Sequence, residues 1–304
     1  MKRLVSTVIA LLLLFPGIVT ANANDKIKKK YAPSPKDMEV LSEKLIELES
    51  IELLTIDDIK GYIKQVENFA ADYYHGSMSS MSKKDVAYRA LNDVKKYADK
   101  TKASGSTRDM MECGILHTAV YHYKTALNSE ELRAQIDLPV VDAVTHEIEA
   151  WQKLENTLCE YYAYSAFMQH QGGSLAQIGA TGSTWSLAEA RYNDTEMLQK
   201  AGFARRARNF PMVDDIRKKA DETVKSLTAT AKDLLDCDDD FKTSPYYNEV
   251  SKGLTAACEN LSADMGAWIN ARISVVGCLE EQGIGIGETF KLLDNIIKIG
   301  SPEQ

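Results

Sequence analysis

The chain has 304 residues, 44% hydrophobic and 26% charged, with a formal net charge of −8. This is the composition of a globular protein with a real core, and it excludes collagen, a small disulfide knot and a polytopic membrane protein. The acidic balance also argues against a nucleic-acid partner, because duplex binding needs a basic face.

Residues 1–23 read as a secretory signal peptide. Lys2 and Arg3 form the positive start, Leu4 to Val19 is apolar, and Ala21-Asn22-Ala23 supplies a small-residue cleavage site. Pro16 and that exit argue against a membrane anchor. Removal of Lys2 and Arg3 takes the net charge from −8 to −10. No later stretch reaches membrane-spanning length, so the expectation is an exported protein, periplasmic or secreted, with no membrane span after cleavage.

The remaining chain reads as helices. Pro35, Pro139, Pro211 and Pro245 each stand where an apolar period of 3.6 begins, a place a helix tolerates proline because the first-turn N–H has no partner. The first helix is expected from Pro35 to about Leu53. Thr55 with Asp58 opens a second, and Ser82 with Asp85 a third. A fourth carries Met110, Cys113, Leu116, Val120 and Tyr123 to about Leu127, after which Asn128-Ser129 is expected to cap a short helix. From Pro139 a long helix carries Val140, Val144, Ile148, Trp151, Leu154, Leu158 and Tyr162 on one stripe, and Gly172-Gly173 stops it. Gly172 to Thr184 reads as a loop before a helix with Leu187, Arg191 and Leu198. Further helices follow from Pro211 and from Pro245 to about Gln282. Gly283 to Gly287 reads as a hinge, and an amphipathic segment ends at Ile299. No sustained strand alternation occurs, so the predicted fold class is all-α, with long antiparallel helices forming an extended bundle. The expected division is an N-terminal helical domain over 24–202 and a C-terminal helical region over 210–304.

Chemical motifs are scarce. No P-loop, G-x-S-x-G or dinucleotide fingerprint is present, so neither catalytic residue nor cofactor is expected. Cys113 and His117 have the one-turn spacing of paired metal ligands, but the sequence offers no third, and no metal site is expected. Asp236, Asp238 and Asp240 alternate as in a calcium loop, yet Phe241 stands where glycine is needed.

One constellation is more specific. It runs Met111-Glu112-Cys113, Ala150-Trp151, Cys159, Gly172-Gly173-Ser174, then Leu187 and Arg191. Over roughly 106–199 this resembles the LprI-like lysozyme-inhibitor family, a secreted helical domain. The chain departs from that pattern at Glu155, where arginine is usual, and at Ser183, where a second cysteine is usual. Ala267-Trp268 with Arg272 four residues on reads as a degenerate second copy of the Trp151 element. Trp151, Gly172, Gly173, Arg191, Trp268 and Arg272 are thus the motif core, with both tryptophans as buried anchors. Five cysteines are present. In an exported chain a Cys113–Cys159 bridge between consecutive long helices is the expected disulfide, stabilising by roughly 2–4 kcal/mol.

The function expected from these readings is that of a non-catalytic binding protein of the envelope. The alternatives are direct inhibition of a cationic lysozyme-type enzyme, as the resemblance implies, and an uncharacterised hydrolase. A lysozyme-type or other envelope protein is the expected partner, met through Asp236, Asp238, Asp239 and Asp240 or through the Gly172–Thr184 segment.

Overall fold

The structure is a computed structural model that describes residues 34–49, 53–74, 81–102, 105–203, 213–236, 242–243 and 246–301. The signal-peptide assignment, Cys237 and Asp238 to Asp240 lie outside the described residues. Within them the fold is all-α, as expected. The helices are α1 (Pro35–Leu48), α2 (Ile56–Tyr74), α3 (Lys83–Lys102), α4 (Thr107–Ala134), α5 (Leu138–Gln169), α6 (Gly173–Ala201), α7 (Val213–Leu235), α8 (Tyr247–Gly277) and α9 (Gln282–Ile299). No helix among the described residues is long and apolar enough to cross a membrane.

Local signals set most helix starts. Ser34 and Asp37 form a reciprocal capping box on α1. Thr55 accepts from the Asp58 amide at 3.2 Å while Asp58 accepts from the Thr55 amide at 2.8 Å. Ser82 and Ser106 likewise accept from the amides of Asp85 and Asp109. Each such cap satisfies a donor that the first helical turn leaves without a partner.

Three expected breaks are helical instead. The chain runs through Asn128-Ser129 because Ser129 donates to the Thr125 carbonyl four residues back at 2.9 Å, and so does not cap. The expected Gly172–Thr184 loop is the first half of α6, with only residues 170–172 between it and α5. There Gly172 and Gly173 have φ of 84° and 76°, a conformation that favours glycine. Within this segment Thr181 packs closely on α4. A Cβ on Gly114 of α4 would lie 2.5 Å from the Thr181 methyl group of α6, so the two helices approach at a glycine. The expected Gly283–Gly287 hinge is likewise helical. A Cβ on Gly285 would stand 2.5 Å from Leu279 Cδ1, so it too permits a close approach.

Neighbours in sequence are not always neighbours in space. The longest helices, α5 and α8, pair along their length, and α6 packs between α5 and α4. Helices α4 and α5 meet only slightly. The N-terminal layer of α1, α2 and α3 covers the other side of α4.

Apolar burial forms two main cores. The first joins α1–α4 with Val140, Val144 and Ile148 of α5, and receives Val275 and Cys278 from the far end of α8. The second runs from Ala150 and Trp151 along the rest of α5 and includes α7, α9 and most of α8. The apolar interior therefore divides along α5 and α8. In the second core Tyr161 and Tyr162 of α5 donate to the carbonyls of Leu227 on α7 and Ile296 on α9.

The close approach of α4 and α6 has a measurable consequence. Gly114→Ala gains about 1 kcal/mol of helix propensity but overpacks against Thr181. We expect net destabilisation of roughly 1–2 kcal/mol by urea denaturation. Gly114→Ala with Thr181→Ser should recover most of it.

Candidate functional site

The seam between the two cores holds four fully buried charges. The stripe on α5 that packs Val144, Ile148, Trp151 and Leu158 also carries Glu147 and Glu155, one turn to either side of Trp151. Arg191 reaches Glu147 from α6 with two parallel hydrogen bonds, 2.9 and 2.7 Å, and donates to Asp194 at 2.8 Å. From α8, Arg272 pairs with Asp194, lies 3.3 Å from Glu147, and donates through Nε to Thr289 of α9 at 3.0 Å. The Trp268 indole donates to Glu147 at 2.8 Å.

The rings complete this centre. The Arg191 guanidinium sits 4.6 Å from the centre of the Trp151 ring, and Trp151 meets Trp268 edge to face at 5.2 Å. Two arginines and two carboxylates balance in charge, as a buried cluster requires. Burial acts to raise the Glu147 carboxyl, but the Arg191 and Arg272 cations overcome it and hold it at about 2. At Asp194 burial prevails and pushes the carboxyl upward against the same cations. Glu147 is thus the anchoring anion.

A second polar chain leads from this centre to a cavity. The Trp151 indole donates to Glu155 Oε2 at 3.0 Å. The other oxygen, Glu155 Oε1, lies 3.3 Å from His122 Nε2. On its far side His122 Nδ1 is 2.7 Å from Glu49 Oε2, and the Tyr62 hydroxyl donates to Glu49 Oε1 at 2.6 Å. Both glutamate side chains are only 8% exposed. Burial works to lower the imidazole's pKa, but the two flanking carboxylates overcome it and hold it well above the ordinary histidine value. These groups form one wall of a cavity of about 490 Å³ between α1, α2, α4, α5 and α6. Ile46, Leu53 and Ile115 make much of the apolar lining, and Thr118, Thr181 and Cys159 complete it. Its size is that of a small-molecule site.

Of the residues singled out in the sequence, Trp151, Arg191, Trp268 and Arg272 converge at the buried centre. Gly172 and Gly173 form the α5–α6 turn about one helix length away. Asp236 is exposed at the end of α7. The expected Cys113–Cys159 bridge is not formed, since Cys113, Cys159, Cys258 and Cys278 are free thiols. The geometric reason is that α4 and α5 do not lie side by side. Cys113 packs in the first core, while Cys159 lines the cavity and faces Thr184. Burial, the largest cause, pushes the Cys159 thiol up to about 12.

The sequence reading missed Glu147, Asp194, Glu155, His122 and Glu49. A signal for two of them was present. Glu147 and Glu155 fall on the apolar stripe of α5, and a charge at a core position needs a buried partner. His122 and Glu49 are brought together only by packing of α1 against α4, which no local pattern records.

Two measurements test this arrangement. Glu147→Gln leaves two guanidiniums short of a counter-charge, so the unfolding free energy in urea should fall by roughly 3–5 kcal/mol with an unchanged m value. Because His122 is raised, its stabilisation is fully present below the unfolded value of about 6.5 and is lost as pH rises through the higher folded value. Wild type should lose stability relative to His122→Gln on going from pH 6 into the alkaline range. The imidazole proton shifts of His122 should still report the charged form at pH 7.5.

Compared with known protein families, with curated proteins and with solved structures, the chain matches none.

Proposed function

We propose that the chain is an exported, non-catalytic binding protein whose cavity takes a small ligand bearing an amino or guanidino group on an apolar body. The observation that carries this reading is the imbalance at the cavity wall. Two nearly buried carboxylates, Glu49 and Glu155, share one histidine cation, so negative charge exceeds positive in a site otherwise largely apolar. An organic cation supplies the missing positive charge, and its hydrocarbon fits the lining of Ile46, Leu53 and Ile115. Export rests on the character of residues 1–23.

Two features support binding rather than turnover. The cavity thiol, Cys159, is held protonated by burial, which disfavours a nucleophilic role. His122 is held as a cation between two carboxylates, which suits it to orientation and not to accepting a proton. A hydrolase reading would have to take Glu49 or Glu155, and not His122, as its base. The lysozyme-inhibitor alternative draws on the same charge argument, since a cationic enzyme also presents lysine and arginine. Its motif residues Trp151, Arg191, Trp268 and Arg272 are buried, so the resemblance bears on architecture more than on a contact surface.

Spermidine is a suitable probe. We expect it to raise the Tm of wild type and to bind Glu155→Gln at least tenfold more weakly by calorimetry, a loss of about 1.4 kcal/mol. The amide retains an acceptor for Trp151, so the fold should survive. Equal binding by both proteins, or none by wild type, overturns the cavity reading. Suppression of lysozyme turbidity clearance without spermidine binding would favour the inhibitor alternative instead.

A further inference from the structure

A different face of α4 carries a set of donors outside the cavity. Cys113 and His117 are one helical turn apart, and the C-terminal part of α3 brings Asp99 against them. The Sγ of Cys113, a ring nitrogen of His117 and a carboxylate oxygen of Asp99 all lie within 4.8 Å of one another. We propose that Asp99, Cys113 and His117 form a binding site for a borderline divalent metal of the zinc class, with the remaining coordination position open to solvent on the Asp99 side.

Four observations support it. The donor set is thiolate, imidazole and carboxylate, which suits zinc or cobalt and does not suit magnesium or calcium. Cys113 and His117 are almost fully buried on a long, regular helix, so two of the three donors are held by a rigid element. The third, Asp99, is half exposed and already lies 2.8 Å from His117 Nε2. A tetrahedral zinc spaces its nitrogen, oxygen and sulfur donors about 3.3–3.6 Å apart, so a small shift of the half-exposed aspartate side chain opens room for the ion. Lastly, His117 Nδ1 is buried with no hydrogen-bond partner among the described residues, a ring nitrogen free for a further contact.

The surroundings fix the imidazole. The His117 ring stacks on Trp185 of α6 with centroids 4.0 Å apart, and the Lys102 ammonium lies 5.7 Å from the centre of the Trp185 ring. Ring rotation is thereby restricted, as ligand preorganisation requires. On binding, the Cys113 thiol loses its proton to solvent and its sulfur takes the metal; no oxidant or reductant is involved.

Cobalt(II) reports the site directly, because a thiolate ligand gives a near-ultraviolet charge-transfer band and tetrahedral coordination gives intense visible bands. Titration of the reduced full chain with cobalt(II) should produce both, and equimolar zinc(II) should abolish them. Cys113→Ser should lose the charge-transfer band. His117→Gln and Asp99→Asn should keep thiolate coordination but bind at least tenfold more weakly. Cys159→Ser and Cys258→Ser should leave the spectrum unchanged. Circular dichroism confirms that each variant is folded, and Asp99→Asn, at a half-exposed position, keeps the test open if Cys113→Ser is not. No charge-transfer band in wild type, the same band in folded Cys113→Ser, or unchanged affinity in Asp99→Asn overturns the site.

Discussion

Everything in this fold turns on how two guanidiniums and two carboxylates are kept together away from water. Glu147 and Arg272 sit where α5 and α8 pass from one apolar core to the other. A lone charge at that seam would be expensive to bury, so each helix can take its place only if its partners do. The cluster therefore acts as a register device. Sliding α8 by one turn past α5 would part Arg272 from Glu147 and Asp194 and the Trp268 indole from its acceptor. Apolar packing alone tolerates such slips far better, because hydrophobic contact is not directional.

Such a centre also explains why so little chemistry is found at the most polar place in the interior. Every oxygen of Glu147 and Asp194 is engaged, and the Arg191 guanidinium is held on the face of Trp151. Carboxylates engaged in this way stabilise and orient the helices. The neighbouring cavity differs in just this respect. It is reached through Trp151 and Glu155, and there a single histidine cation faces two carboxylates. The buried centre and the cavity thus share one polar chain along α5, with balanced charge inside and an excess carboxylate at the cavity.

Much of the fold was legible locally. Serine and threonine followed by aspartate three residues later marked α2 and α3, and proline marked the start of α5. The stripe from Val140 to Tyr162 marked the buried face of α5. What misled was composition. Glycine, serine and threonine between Gly173 and Thr184 carry weak helix propensity, and the segment is helical because packing of α6 against α4 and α5 overrides it. The same holds for Gly285 against Leu279. The tryptophan and arginine positions were recognisable as a set, but their acidic partners were not, because Glu147 and Asp194 meet them only once α5, α6 and α8 are assembled. The disulfide expectation failed for a related reason. Succession along the chain suggests that α4 and α5 are packed neighbours, whereas α6 lies between them.

The unbroken course of α5 has a thermal corollary. Its first turns are embedded in one oily interior and the remainder in the other, so neither half of the molecule can melt while the rod stays intact. Calorimetry should accordingly give a single endotherm whose van't Hoff and measured enthalpies agree, despite a chain long enough for two independently folding bodies.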